Sequence, residues 1–145
     1  MRRWRRFFAL DAAQRGAFLW SLMLLPAAAV ALRWRGFAAA QGFIGRAPAP
    51  AADALAPEAA ARMVNAAAAL VGGSCLPRSL VLWRLLRARG ATVRLGVAPP
   101  AAQGFSAHAW VEVDGQALSD TAAAIASYSA FPAHPAVSGA ATRDR

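Results

Sequence analysis

Residues 72–90 have the sequence GGSCLPRSLVLWRLLRARG, and they carry the clearest helix signal in the chain. Two glycines and Ser74, a typical N-cap residue, precede Cys75, and the final glycine provides a stop. Apolar side chains recur between these ends at the spacing of one helical face: Leu76, Leu80, Trp83 and Leu86. The segment therefore predicts a helix that begins at Cys75 or Leu76 and runs to Arg89, with the cysteine in its first turn.

Farther along the chain, residues 107–120 have the sequence AHAWVEVDGQALSD. Alternating apolar and polar side chains predict a strand over 107–113, Asp114-Gly115 is a typical hairpin turn, and a short strand returns over 116–120. A further strand is expected over 92–97 and a loop over 99–106. We therefore expect an α+β fold in which N-terminal helices are followed by a small antiparallel sheet that packs on the cysteine-bearing helix.

A stretch rich in proline and alanine separates this part from the N-terminus. Residues 46–57 hold three prolines among small residues, which is typical of a linker. Pro57 suits the first position of an alanine-rich helix that continues over 58–71 and ends at two glycines. The predicted units are an N-terminal helical segment (1–45), a linker (46–57), a main domain (58–133) and a flexible tail (134–145). On this division, removal of residues 1–45 is expected to spare the chemistry.

The N-terminal segment is both basic and apolar. An apolar stretch of 17 residues, 16–32, lies between Arg15 and Arg33, and seven of the 16 arginines lie within residues 1–35. A helix that spans a bilayer needs about 20 residues, and Pro26 would kink this one. Three placements stay open: a spanning helix, a helix lying on a membrane surface, and a helix docked on the domain. We expect a cytoplasmic protein, with membrane association through residues 1–35 left open.

The composition limits the chemistry that this chain can perform. Its net charge is +9, but no base-recognition motif accompanies the arginines, so lipid or protein partners are preferred to nucleic acid. Cys75 is the sole cysteine, which excludes an internal disulfide, and with two histidines it also excludes a Cys-rich zinc site. Neither a metal nor another cofactor is expected.

Cys75, His108 and Asp120 have the order and placement that a thiol nucleophile needs. Taken alone, Cys75 would be an inert buried residue and His108 an ordinary strand residue. At a helix N-terminus, however, unpaired N–H groups and the helix dipole favour negative charge, and the same amides can stabilise an oxyanion. His108 follows 33 residues later, and Asp120 follows another 12 residues later on the returning strand. The three are therefore the candidate nucleophile, proton shuttle and orienting carboxylate.

The hairpin register decides whether Asp120 can reach His108. A two-residue turn at Asp114-Gly115 would pair Ala109 with Asp120 and direct the carboxylate to the opposite face of the sheet from His108. A three-residue loop over 113–115 would pair His108 with Asp120 on one face, with the glycine in the left-handed position of a G1 bulge. We therefore predict the bulged register and a hydrogen bond between Asp120 and His108.

Three neighbouring residues have open roles. Glu112 is the next candidate for orienting His108 if Asp120 points away, although its mid-strand position favours contact with solvent. Trp110 shares the strand face of His108, where it can line the substrate cleft, shield the ion pair or simply pack. Arg78 lies one helical turn from the cysteine and can attract a substrate carboxylate or serve a structural role.

The chain resembles the protease component of bacterial lasso peptide biosynthesis, a transglutaminase-like, papain-related cysteine peptidase. The resemblance covers residues 75–120, and the order helix, linker, helix upstream is similar to the stand-alone form of that protein. Three stretches carry it: Cys75-Leu-Pro-Arg-Ser-Leu, His108-Ala-Trp-Val-Glu-Val-Asp-Gly and Leu118-Ser-Asp120. The resemblance implies a catalytic triad of Cys75, His108 and Asp120. Ser119 departs from the family pattern, in which Asn is common.

The same resemblance implies an activity and partners. The activity is hydrolytic removal of the leader peptide from a ribosomally made precursor, and the partners are a small leader-recognition protein and an ATP-dependent macrolactam synthetase. Two other interpretations stay open. One is a non-catalytic adaptor that uses this fold to bind the precursor or a membrane, which the intact Cys, His and Asp argue against. The other is a thiol acyltransferase, which shares the thioester intermediate and cannot be separated from a protease by sequence.

Overall fold

The computed structural model describes residues 8–50, 55–101, 104–118, 120 and 122–131, and it has the predicted α+β architecture. In the described part, three long helices are followed by a small sheet. The elements in chain order are α1 (Ala12–Arg46), α2 (Pro57–Val71), α3 (Cys75–Leu86), β1 (Thr92–Ala101), β2 (Gly104–Val113), β3 (Gln116–Leu118), α4 (Ala122–Ile125) and β4 (Ser129–Ala130). The tail predicted over 134–145 lies outside the described residues.

Helix α1 consists of two helical arms joined at Gly36, whose φ of 74° and ψ of 178° are not helical. The indole Nε1 of Trp20 donates a hydrogen bond to the carbonyl oxygen of Pro48, 28 residues away. A straight helix of that length would hold the two residues about 42 Å apart, so the chain must reverse direction between them. Glycine adopts positive φ without strain, which places the reversal at Gly36.

The first arm of α1 packs on the other helices through small and branched side chains. Its buried residues recur every three or four positions: Ala17, Ser21, Leu25 and Ala28. Ala17, Leu25 and Ala28 belong to one apolar core together with residues of α2, α3 and the sheet. The segment that the sequence analysis separated by a linker therefore contributes directly to the same core.

Helices α2 and α3 begin where the sequence predicts. Helix α2 starts at Pro57 and ends before Gly72, whose φ of 72° gives a left-handed C-cap. Helix α3 starts at Cys75 after Ser74, although the Ser74 side chain makes no capping hydrogen bond. Regular α-helix stops at Leu86, and a 3₁₀ turn covers the last three residues of the predicted helix. Side chains of α3 form the centre of the core: Leu80, Val81, Leu82, Leu85 and Leu86.

The four strands form one antiparallel sheet in the order β3-β2-β1-β4. The loop predicted over 99–106 is wrong, because β1 continues to Ala101 and β2 begins at Gly104. Two prolines suggested that loop, but proline is tolerated where a ladder is irregular, and here the register shifts after Ala98. Strand β4, which pairs with β1, was not predicted.

The hairpin between β2 and β3 has a two-residue turn, so the predicted bulged register is wrong. Val113 pairs with Gln116, and the ladder ends at Leu118. Asp114 and Gly115 both have positive φ, 51° and 75°. Two consecutive left-handed residues define the type I′ turn, whose twist matches that of the flanking strands, and Asp-Gly is one of the pairs that tolerates it. The chain therefore forms the two-residue type I′ turn at Asp114-Gly115 and not the three-residue bulged loop.

Strand β2 separates two environments. Its inner face (Ala109, Val111 and Val113) is buried, and both valines belong to the core shared with α3. Its outer face (His108, Trp110 and Glu112) lies on the opposite side, because successive side chains of a strand alternate. The candidate chemistry of the sheet lies on the outer face.

Candidate active site

Cys75 is the first residue of α3, is partly exposed and is not in a disulfide. The first bond of the helical turn runs from the amide of Arg78 to the carbonyl of Ser74, so the amides of Cys75 and Leu76 have no partner within the helix, and Pro77 has no N–H. Because the Ser74 side chain does not cap the helix, these donors stay available to an anion. Among the described residues, no hydrogen bond joins the Cys75 thiol to another group.

The turn before Cys75 is packed between α1 and α2. A Cβ added at Gly73 would lie 3.2 Å from the Cβ of Ala68 and 3.5 Å from Cδ2 of Leu25. The amide of Gly73 also donates a hydrogen bond of 3.0 Å to the carbonyl of Ala68. The N-terminal helix therefore lies against the turn that precedes the candidate nucleophile.

Asp120 lies between a strand residue and a helix residue. Its Oδ2 is 3.4 Å from Nε2 of His108, and its Oδ1 is 3.6 Å from Nη2 of Arg78. The predicted hydrogen bond to His108 is not formed, because Oδ2 is buried without a hydrogen-bond donor among the described residues. Asp120 is therefore within ion-pair distance of both His108 and Arg78. These two contacts connect the outer face of the sheet to the first turn of α3.

Asp120 reaches His108 although the register of the hairpin predicts the opposite. Strand β3 ends at Leu118, two residues earlier, and Asp120 lies in a bend. Once the ladder has ended, the alternation of the strand no longer determines the direction of a side chain. Arg78 then provides a charge that holds the carboxylate near His108. Arg78 thus has a structural contact, which was one of its two expected roles.

Two aromatic rings flank His108. The ring of Trp110 is stacked at a centroid distance of 6.2 Å, and that of Tyr128 is tilted at 5.2 Å. The Tyr128 hydroxyl lies 3.2 Å from the hydroxyl of Ser106. Trp110 is only 2% exposed, which supports packing among the roles left open for it. Together the rings restrict the orientations that the imidazole can adopt.

Glu112 holds Trp110 rather than His108. One carboxylate oxygen accepts a hydrogen bond of 2.8 Å from the indole of Trp110, and the other lies 3.4 Å from Nε of Arg94. The expectation that Glu112 mainly meets solvent is therefore wrong. Glu112, the alternative candidate for orienting His108, instead contacts Trp110 and Arg94.

Gly96 and Tyr128 also contribute to the site, and neither is among the residues predicted from the sequence. Gly96 pairs with His108 across the ladder, and a Cβ there would lie 3.0 Å from the ring of Trp110 and 3.1 Å from Cβ of Tyr128. An isolated glycine inside a strand signals such a close approach, and this signal was present in the sequence. Tyr128 gave no signal, because its contact with His108 depends on the pairing of β4 with β1.

The structure combines a cysteine at a helix start with a histidine on an internal strand of the sheet and an aspartate just beyond the edge strand β3. These are the groups that acyl transfer through a thiol requires, although among the described residues the thiol makes no hydrogen bond to His108 or Asp120. A model of the transglutaminase-like superfamily matches residues 22–132, and the chain belongs to this superfamily. Its members are typically cysteine proteases or acyltransferases. No curated protein and no solved structure matches the chain.

Proposed function

We propose that the protein is a cysteine endopeptidase that removes the leader from a ribosomally made lasso peptide precursor. The observation that carries the chemistry is the His108–Asp120 contact, held by Arg78 against the helix that starts with Cys75. Membership in the superfamily supports cysteine-protease or acyltransferase chemistry. The choice of a lasso peptide precursor rests on the sequence resemblance over residues 75–120.

In the proposed reaction, Cys75 is the nucleophile and His108 carries the proton. Nε2 of His108 faces Asp120, so Nδ1 is the nitrogen that receives the thiol proton. The sulfur attacks the carbonyl carbon of the scissile bond, and the oxygen becomes an oxyanion that the first amides of α3 can stabilise. Asp120 stabilises the imidazolium that forms.

Collapse of the tetrahedral intermediate breaks the C–N bond. The amine of the released core peptide takes the proton from His108, and the leader remains bound to Cys75 as a thioester. Water then loses a proton to His108 and attacks the thioester carbonyl. The C–S bond breaks, the leader leaves with a new carboxylate, and the thiol is regenerated.

The partners follow from the same proposal. A small leader-recognition protein would raise the effective concentration of a weakly bound flexible peptide. An ATP-dependent macrolactam synthetase would consume the free amine of the core peptide. The partner is therefore expected to accelerate cleavage of a precursor by the full chain, and equal rates with and without it would show that this chain recognises the leader itself. We place the protein in the cytoplasm, where a ribosomal precursor is made.

The proposed chemistry is tested by changing Cys75. Cys75→Ala should lower leader cleavage by about 10³-fold or more, because triad nucleophiles contribute at least that much. Ser74→Ala is the matched control. Ser74 is next to Cys75, and its side chain makes no capping hydrogen bond, so this variant should retain activity. Both variants should show the circular dichroism spectrum of the wild type. Turnover at the wild-type rate by Cys75→Ala would overturn the proposal.

The superfamily also favours acyltransferase chemistry, and the products separate the two activities. A peptidase in H₂¹⁸O gives a leader whose new carboxylate carries one ¹⁸O, even when a small primary amine is present. An acyltransferase gives the leader amide of that amine instead. A non-catalytic adaptor gives neither product, so mass spectrometry of one reaction distinguishes all three interpretations.

A further inference from the structure

The first arm of α1 exposes a second apolar surface, opposite the face that it buries. Met23 is 80% exposed and Trp34 is 77% exposed. The apolar stripe consists of Leu19, Met23, Val30 and Trp34. At about 100° per residue these four side chains fall within about 60° of arc, and the buried residues Ala17, Ser21, Leu25 and Ala28 lie on the other side. No described element covers the apolar stripe.

Arginines lie at both ends of the apolar stripe. Arg15 precedes it, and the exposed Arg33 and Arg35 flank Trp34. Residues 12–46 contain no Asp or Glu, and the whole chain has a net charge of +9. An exposed tryptophan between arginines is typical of helices at the membrane interface, where the indole lies among the headgroups and the guanidinium groups contact phosphate.

We infer that the apolar stripe docks this protein on the surface of an anionic phospholipid bilayer, with the first arm of α1 lying in the plane of the interface. Charge complementarity selects this occupant, because arginines lie at both ends of the stripe and the only carboxylate near it, that of Asp11, caps the helix by accepting a hydrogen bond from the amide of Gln14. The stripe extends about 22 Å along the helix axis, long enough for its four side chains to enter the headgroup region together. The inference is independent of the proposed peptidase activity.

Docking on the surface preserves the fold, whereas spanning does not. By length and composition alone, α1 is long and apolar enough to cross a membrane. Spanning would withdraw Ala17, Leu25 and Ala28 from the core. It would also remove Leu25 from the Gly73 turn that precedes Cys75. A helix that lies on the surface uses only the exposed stripe, so the core remains intact.

Vesicle sedimentation of the full chain tests the inference. Wild-type protein should bind vesicles of phosphatidylcholine with phosphatidylglycerol at least about tenfold more tightly than vesicles of phosphatidylcholine alone, and added salt should weaken the binding. The double variant Met23→Gln/Trp34→Gln should bind the anionic vesicles at least about tenfold more weakly than the wild type. The matched control is Leu70→Gln/Val71→Gln, which changes two exposed apolar residues of α2 and should bind like the wild type.

Two further measurements test the alternatives to docking on a bilayer surface, namely a spanning helix and contact with a second copy of the chain. Alkaline carbonate should release the wild-type protein from the vesicles, because a helix on the surface is not embedded. Retention in the membrane would show a spanning helix and overturn the inference. Absence of vesicle binding, or equal loss in both double variants, would also overturn it. Dimerisation in lipid-free solution that depends on Met23 and Trp34, without vesicle binding, would assign the stripe to a second copy of the chain.

Discussion

The inner and outer faces of β2 belong to the same ten residues but are held in different ways. The inner face is apolar and packs against α3, so its stability comes from burial that any apolar side chain of the right size can provide. Two members of the outer face instead have charged partners from other segments, Asp120 for His108 and Arg94 for Glu112, and the third, Trp110, donates a hydrogen bond to Glu112. The inner face therefore maintains the fold, and the outer face positions the candidate chemistry.

The energies of the two faces differ accordingly. The ion pairs of Asp120 and Glu112 are partly exposed, and such pairs contribute only about 0–1 kcal/mol each to stability. Removal of a buried aliphatic side chain costs more, because it loses contacts and leaves a cavity. Loss of the His108 or Asp120 side-chain function should therefore affect activity more than stability, and truncation of an inner-face side chain should do the reverse.

The largest expected effect compares His108→Ala with Val111→Ala. His108→Ala should lower kcat/KM for leader cleavage by about 10³-fold, because the proton shuttle is lost, with little change in urea unfolding. Val111→Ala should lower the free energy of unfolding by about 1–3 kcal/mol and leave the activity of the folded fraction unchanged. An equal loss of stability in both variants would contradict the claim that the inner face stabilises the fold while His108 on the outer face serves the chemistry.

The next effect compares two carboxylates, Asp120 and Glu112. Asp120→Asn should lower kcat by about 10²-fold or more, because the imidazolium loses its stabilising charge. Glu112→Gln keeps an oxygen that accepts the Trp110 hydrogen bond, so its kcat should stay close to that of the wild type. Steady-state kinetics at saturating substrate measures both. A larger loss of kcat in Glu112→Gln than in Asp120→Asn would show that Glu112, and not Asp120, orients His108.

A smaller effect is expected from Gly96→Ala, which tests how tightly the outer face is packed. The added Cβ would meet the ring of Trp110 at 3.0 Å and Cβ of Tyr128 at 3.1 Å. Overpacking of this kind costs about 1–3 kcal/mol, and the displaced Trp110 should also lower kcat through its contact with His108. Gly16→Ala is the control, because nothing lies within 4 Å of its added Cβ. Equal urea midpoints for the two variants would show that the outer face is loosely packed.

The features that the sequence predicted are those that depend on neighbouring residues. Pro57 and Gly72 mark helix ends because each acts within one turn of its own position, and Ser74 occupies the predicted N-cap position although its side chain makes no capping hydrogen bond. The strand over 107–113 follows from its alternation. The candidate nucleophile and histidine are also recognisable locally, because one begins a helix and the other belongs to that strand.

The features that escaped depend on contacts between distant segments. Strand β4 is two residues long, and its pairing with β1 brings Tyr128 to His108, so no local pattern marks it. The reversal of α1 requires Gly36, but its direction depends on the distant contact of Trp20 with Pro48. Because this helix belongs to the core and supports the Gly73 turn, removal of residues 1–45 should destabilise the site. The proline-rich stretch over 46–57 predicts instead that such a truncation spares the chemistry.

The smallest expected effect concerns the turn that connects the outer face to Asp120. Asp114 has a φ of 51° in the observed turn, where a β-branched side chain is strained. Asp114→Val should therefore lower the free energy of unfolding by about 1–2 kcal/mol. Asp114→Asn is the control and should be nearly neutral, because asparagine tolerates the left-handed region.

The bulged loop predicts a different result for the same substitution. In that loop residue 114 would have negative φ, where valine fits without strain, and only Gly115 would be left-handed. Urea unfolding of the two variants therefore reports the register directly. Equal stability of Asp114→Val and Asp114→Asn would support the bulged register, and Asp120 would then reach His108 by continuing the ladder. A specific loss in the valine variant supports the two-residue turn, in which Asp120 reaches His108 only because β3 ends at Leu118.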